Sequence, residues 1–398
     1  MSLDATVGVG APVRPLSAPS SSVSPSSSAP ERYRAFGAEL DALKARTFAE
    51  VGEEDVKYVK SLDRFSIAME VIGRVLIHVS PEPISFLAGV GCLFVHKQLQ
   101  AAEIGHTSLH GAYDKLPDAA EFHAKTYSWD VPIDEESWRL GHNVKHHGNT
   151  NVAGKDPDIH FGPMRLTAET PHAPHHRWQV PFALGILFPN FTFLMNLHFT
   201  GLHDVFFGNG LDSKGGRGLD VLPDLSPVSK RLAWKRALRK YIPYYLRNYV
   251  FFPALAGPFF WKVLLGNWMA ETMRDVYSAA TIHCGHVGHD VASYPEGTKP
   301  RSRGEWYAMQ VASANDFEVG WAVSVLCGGL DRQIEHHLFP TLAPQRLRQI
   351  APEVRTICEK HGVTYKSDTW WGTLKKAFSH LRGLADRGDE ETRIPVAG

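Results

Sequence analysis

Cysteine is scarce in this chain, and neither sign of charge is in excess. Four cysteines stand far apart among 398 residues, at 92, 284, 327 and 358, without a Cys-x-x-Cys pair. That spacing excludes a disulfide framework, a zinc ribbon and a Cys-rich iron–sulfur pattern, and leaves buried free thiols as the expectation for all four. Lys plus Arg and Asp plus Glu both number 42, so no global charge points to nucleic acid or to an acidic partner. No basic start leads into an apolar stretch, so a cleavable signal peptide is not expected. A G-x-S-x-G elbow and a phosphate-binding loop are both missing, which removes the commonest hydrolase and nucleotide-binding readings.

Histidine and apolar runs are what the chain has in quantity. Residues 11–30 are rich in Ser, Pro and Ala, which reads as a disordered tail over 1–30. A folded domain is expected over 31–380 and a polar tail over 381–398. Between Arg177 and Asp204 no Lys, Arg, Asp or Glu occurs, a length that spans about 30 Å of hydrocarbon as a helix. A second candidate covers residues 249–270, where Lys262 is the only formal charge. Two weaker ones are Ile84 to Val95 and Phe65 to Val79, the latter carrying Glu70 and Arg74 at i,i+4 and therefore tilted, interfacial or packed inside the protein. The mean hydropathy of −0.20 suits a few spanning helices with a large polar cap. The basic run SKRLAWKRALRKY favours the cytoplasm for its end of the chain. TWWGTLKKAFSHLRGL reads as an amphipathic helix on the membrane surface. A soluble all-helical core stays open as the alternative.

The 21 histidines fall into clusters. GHTSLH places His106 and His110 on one helix face. GHNVKHHGNTN packs His142, His146 and His147 into little more than one turn, and imidazoles so close are best explained as neutral ligands. TIHCGHVGH supplies His283, His286 and His289. GLDRQIEHHLFP supplies His336 and His337, which leave a helix about 100° apart and so reach two different partners. One tetrahedral ion would leave half of these rings unused, whereas two ions use nearly all of them. A thiolate-free imidazole set suits iron, copper, nickel or zinc. PHAPHHRW, with His172, His175 and His176, reads as a solvated loop, and His198 and His203 as satisfied interface histidines.

GHTSLH, HNVKHHGNTN with the following GKDPDIHFG, CGH at 284–286 and GGLDRQIEHHLFP, in this order, resemble the membrane-bound fatty acid desaturases, and the likeness extends from about Phe65 to Trp371. The resemblance implies an all-α integral membrane protein, with about four transmembrane helices and a cytosolic helical cap holding a di-metal site, multi-pass, its histidine boxes facing the cytoplasm. It assigns His106, His110, His142, His146, His147, His336 and His337 to two iron ions, with His286 as an additional ligand and His283 in reserve. Three residues separate His142 from the His146–His147 pair, where the familiar form has two. Gln333 stands where many members have histidine, and is expected to bind weakly or to hold a ligated water. Asp331, Asp156 and Asp158 are candidates for orienting ligand histidines; for Asp156 and Asp158 a turn role beside Pro157 is equally open.

The chemistry this implies is oxygen-dependent. Ferrous iron, dioxygen and two external electrons remove two hydrogens from neighbouring methylenes of an acyl chain and leave a cis double bond. The acyl substrate would be linked to CoA, a carrier protein or a lipid. Because the chain also lacks the His-Pro-Gly-Gly mark of a fused cytochrome b5 domain, a separate ferredoxin or cytochrome b5 with its reductase is implied, docking on basic residues such as those of LAWKRALRKY. A di-iron lipid hydroxylase and a non-catalytic membrane metal-binding protein are the rival readings.

Overall fold

Two helical hairpins form the long axis of the protein. The computed structural model describes residues 29–207, 222 and 224–386; the N-terminal tail expected over 1–30 lies outside them except for its last two residues. In the first hairpin, Glu53–Val79 turns at residues 80–82 into Pro83–Leu99. Pro83 opens the second helix without wasting a donor, and the Glu82 carboxylate accepts from the amides of Ile84 and Ser85 at 2.5 and 2.7 Å. In the second hairpin, Pro227–Leu246 continues through Arg247–Phe251 and Phe252–Leu255. The chain then reverses at Gly257, whose φ of 54° favours glycine, and returns as Phe260–His286. Lys262 donates to the carbonyls of His78 and Ser80 at 2.9 and 3.0 Å, so both turns lie at one end of the molecule. At about 1.5 Å per residue the 27-residue helix 260–286 is roughly 40 Å long, and it carries His286 to the opposite end.

Residues 249–270, read above as one crossing, are therefore the tip of this second hairpin. The Phe65–Val79 run lies inside the 53–79 helix, and its charges are neutralised locally by the Arg74–Glu70 pair at 2.8 Å. The outward faces of the hairpins carry Phe65, Val71, Val75, Val250, Leu255 and Trp261, all exposed. Their inner faces carry a buried ionic cluster. Lys97 Nζ lies 2.7 Å from Glu271, Tyr244 donates to the same carboxylate at 2.6 Å, and Arg274 bridges Glu271 and Asp275.

Around the far ends sits a cap. Ala29–Ala49, Arg303–Ala312 and Pro344–Lys360 enclose the short helix Gln333–Leu338 through Phe36, Leu40, Val311, Ile334, Leu338 and Val354. Among the described residues, the one stretch long and apolar enough to cross a membrane by composition is Pro174–Phe199. It is interrupted by 3-10 and π turns around Pro189 and is partly covered by Trp370–Asp386. That last helix runs past the expected boundary at 380, because Leu381, Leu384 and Ala385 face inward. Its apolar face thus packs on protein, although Trp371 remains exposed. Among the described residues, strand structure is confined to a parallel pair of three residues each, Asp316–Glu318 with Ser367–Thr369, and an isolated bridge between Val152 and Tyr294. The fold is otherwise helical.

Candidate metal centre

The histidines sit where two helices widen. Pro83–Leu99 passes into a π-helical segment, Gln100–His106, before one α-turn delivers His110. A π-turn takes one more residue than an α-turn and disturbs the regular carbonyl pairing. The Trp129 indole N–H meets this by donating to the Gln100 and Ala101 carbonyls at 3.0 and 3.1 Å. Gly105 permits the approach, since a Cβ there would lie 2.2 Å from that indole nitrogen. The second box repeats the device. Glu135–Trp138, capped by Asp134, runs into the π-helix Arg139–His146, and Gly141 leaves room for the Phe199 ring. Here the amide of His147 bonds to the carbonyl of His142, five residues back, at 3.1 Å. The extra residue in this box is thus taken up by the π-turn.

Two all-histidine groups of ligand atoms result, beside a third in which His142 and His146 meet Asp158. His106, His110, His142 and His336 form one, and His146, His286 and His337 the other; within each, the ligand atoms lie within 4.8 Å of one another. Donors around a common ion with ligand bonds near 2.1 Å stand about 3.4–4.2 Å apart. The adjacent pair of the third box is split, His336 to the first group and His337 to the second. His147 lies between, its ring 4.7 Å from that of His110 and 4.4 Å from that of His337. The Nε2 atoms of His142, His146, His147 and His336 are buried without a hydrogen-bond partner. An unpartnered buried polar atom costs about 1–3 kcal/mol, so so many in one place fit a bound cation better than an empty core.

Electrostatics prepares most of these rings as ligands. Burial, reinforced by neighbouring rings, holds His106, His110, His142, His147, His336 and His337 well below the ordinary imidazole range, hence neutral. His146 differs. Burial pulls it down, but the Asp156 and Asp158 carboxylates outweigh burial and push it up to about 9. Asp156 accepts from His146 Nδ1 at 2.9 Å and from the Asn151 and Asp158 amides, and Asp158 accepts from His142 Nδ1 at 3.0 Å. Both aspartates thus hold ligand histidines by their rear nitrogens and shape the turn at Pro157 as well.

Other candidates are arranged differently. His283 joins neither group; its Nδ1 faces the Ala279 carbonyl and its ring packs on Phe188. Asp331 turns to Ser324 at 2.7 Å and lies beside Arg332, rather than orienting a histidine. Gln333 Nε2 lies 2.6 Å from His286 Nε2, and its Oε1 is buried and unpartnered. His176 is buried and its Nδ1 accepts from the Ala173 amide, so PHAPHHRW is not a fully solvated loop. His198 is satisfied by the Pro157 carbonyl, and His289 is exposed. Cys284, Cys327 and Cys358 are buried free thiols, whereas Cys92 is half-buried. In LAWKRALRKY, Arg236, Arg239 and Lys240 are engaged by Glu136, Asp134 and Glu135.

Two residues that sequence reasoning passed over complete the setting. Thr150 and Gln310 meet His337 Nδ1 at 3.1 and 3.0 Å. Thr150 lies in the second box's own GNTN; nothing in the sequence around Gln310 marks it. Beneath the histidines is a cavity of about 1090 Å³, mouth included, walled by Trp129, Val131, Ile133, Phe161, Phe191 and Ile282, with His106, His142, His286 and Gln333 on its metal side.

Comparison with known proteins gives a consistent result. The fatty acid desaturase family profile matches residues 83–369. The NADPH-dependent stearoyl-CoA 9-desaturase of Mycobacterium tuberculosis is 30% identical over 379 residues, covering 90% of this chain and 83% of the relative. The sn-1 linoleoyl-lipid 6-desaturase of Synechocystis is 26% identical over 314 residues, 75% of this chain and 80% of the relative. The acyl-lipid (8-3)-desaturase of Physcomitrium patens is 29% identical over 294 residues, covering 71% of this chain and 58% of the relative.

Proposed function

We propose that this chain, which belongs to the fatty acid desaturase family and is an oxidoreductase, introduces a cis double bond into a fatty acyl chain with two iron ions, dioxygen and external electrons. His106, His110, His142 and His336 would hold one ion, His146, His286 and His337 the other, with His147 between them. The observation that carries this reading is the set of unpartnered, buried imidazole nitrogens of His142, His146, His147 and His336, next to an apolar cavity that His106, His142 and His286 line. Bound iron would supply the reduction of dioxygen and the abstraction of hydrogen from an unactivated methylene. The balance is one dioxygen, two electrons and two protons consumed, two C–H bonds broken, and two waters released.

The chain's own part is positioning. Trp129, Val131, Ile133 and Phe161 exclude water and offer an apolar surface to methylenes, while Asp156 and Asp158 keep His146 and His142 in the tautomer that turns Nε2 inward. The names of the relatives include both CoA-linked and lipid-linked acyl chains, and either head group fits this reading. Electrons would come from NADPH through a reductase and a ferredoxin or cytochrome b5, a source supported by the name of the Mycobacterium relative. The two hairpins would cross the bilayer with the histidines on the cytoplasmic side. Their exposed apolar faces support this, because contiguous apolar surface on that scale is rare in water.

The test is expression in a host with a competent electron donor, followed by gas chromatography and mass spectrometry of derivatised fatty acids. A new unsaturated species that disappears in His146→Ala and His337→Ala is expected. An unchanged profile with the wild-type chain would overturn the proposal, and a hydroxylated product would move it to the hydroxylase reading.

A further inference from the structure

We infer that a small acidic electron-carrier protein docks over a solvent-facing pocket between residues 148–155 and 298–310 and passes electrons through Gln310 and Thr150 to His337. This inference rests on the desaturase reading above, which requires electrons but leaves their point of entry open. The pocket is lined by Lys155, Lys299, Trp306 and Met309 at its rim, and by Thr150 and Gln310. Those last two are buried, and they are the groups that meet His337 Nδ1, with Thr150 also donating to Gln310 Oε1 at 2.8 Å. The ring's other nitrogen lies 3.1 Å from His286 Nε2. A short polar path therefore joins the surface to the second ligand group. His142 and His146 offer no such path, because their rear nitrogens are held by Asp158 and by the fully buried Asp156.

Charge selects the partner. Lys155 and Lys299 have no carboxylate partner among the described residues, and Arg301 follows at once in the basic run TKPRSR. The acids nearby are Glu296, against Gly154, and Glu305, which accepts from the Arg301 amide at 2.6 Å, while Arg303 of the same run is paired with Asp41 at 2.7 Å. An acidic carrier would be steered to such a rim, whereas a neutral or basic one would not. The surface first considered, on the 227–246 helix, fits less well. Three of its cations are engaged by acids, while Lys230, Arg231 and Lys235 have no carboxylate partner among the described residues, and Val228, Leu232 and Ile242 on the same helix are exposed, so it is the polar path to His337 rather than charge alone that favours the pocket. Each docking event delivers one electron and oxidises one carrier, so two events supply the pair that dioxygen reduction needs beyond the two taken from the substrate's C–H bonds.

The experiment uses the full-length, iron-loaded protein in detergent with a plant-type [2Fe–2S] ferredoxin, its reductase and NADPH. The Lys155→Glu/Lys299→Glu variant is compared with wild type and with Lys230→Glu/Lys235→Glu on the 227–246 helix. Expected for the first variant are at least about a tenfold rise in the ferredoxin Kd, a similar fall in the rate at which reduced ferredoxin is oxidised, and a flatter salt dependence. Its iron content and its single-turnover product yield with dithionite should match wild type. Wild-type ferredoxin binding and oxidation in that variant, or their loss in the 230/235 variant instead, would overturn the docking site. If the wild-type protein forms no product even with dithionite, the desaturase reading itself fails and this inference falls with it.

Discussion

At the residue scale, the sharpest contrast is between aspartates that hold histidines and one that does not. Asp156 is fully buried, accepts from His146 and two backbone amides, and fixes the turn before Pro157. Asp156→Asn keeps the shape but removes the charge that orients His146 and strengthens it as a donor. Partners of this kind are worth about 10–100-fold in metal affinity, so iron content measured after chelator competition should fall by that order while the circular dichroism of the helices is kept. Full iron retention would reduce Asp156 to a turn residue. Asp331→Asn should leave iron content unchanged, since its carboxylate is engaged by Ser324. From sequence the aspartates looked alike, because adjacency to a histidine says nothing about where a carboxylate points.

At the element scale, the π-turns explain both what was legible and what was hidden. The histidines announce themselves by spacing, and the sequence reading brought most of them to one place. The device that aims them is silent in the sequence, because a π-turn depends on a partner for the carbonyls it disturbs. At 100–106 that partner is Trp129, 29 residues beyond Gln100 in a loop with no recognisable motif. The glycines before His106 and His142 were the available signal, since each marks a helix approached closely by a large ring. Trp129→Phe fills most of the space but removes the indole donor from which the Gln100 and Ala101 carbonyls accept in addition to their π-helical amides. A loss of about 1–3 kcal/mol is expected, read as a lower melting temperature in detergent with reduced iron occupancy. An unchanged melting temperature would mean that the π-turn needs no such support.

At the scale of the whole molecule, hydropathy located apolar segments but could not tell how they pair. The most apolar stretch, Pro174–Phe199, lies partly against the cap, whereas the hairpin helices hide charge on inner faces that lower their average. Those charges are the clamp between the hairpins, with Lys97 from the first bonded to Glu271 and Tyr244 of the second. Buried pairs of this kind seldom stabilise more than a well-packed apolar substitute, yet removing one partner strands the other. Lys97→Met should therefore destabilise the protein by about 3–5 kcal/mol, and Glu271→Gln likewise, because Arg274 then loses one of its two carboxylates. The double variant should be less damaged than the sum of the two, by an interaction energy of about 0.5–3 kcal/mol. Thermal unfolding of all four proteins in one detergent measures this coupling. Strict additivity would mean that the two hairpins are held by their apolar contacts alone, and that the ionic cluster is not the clamp.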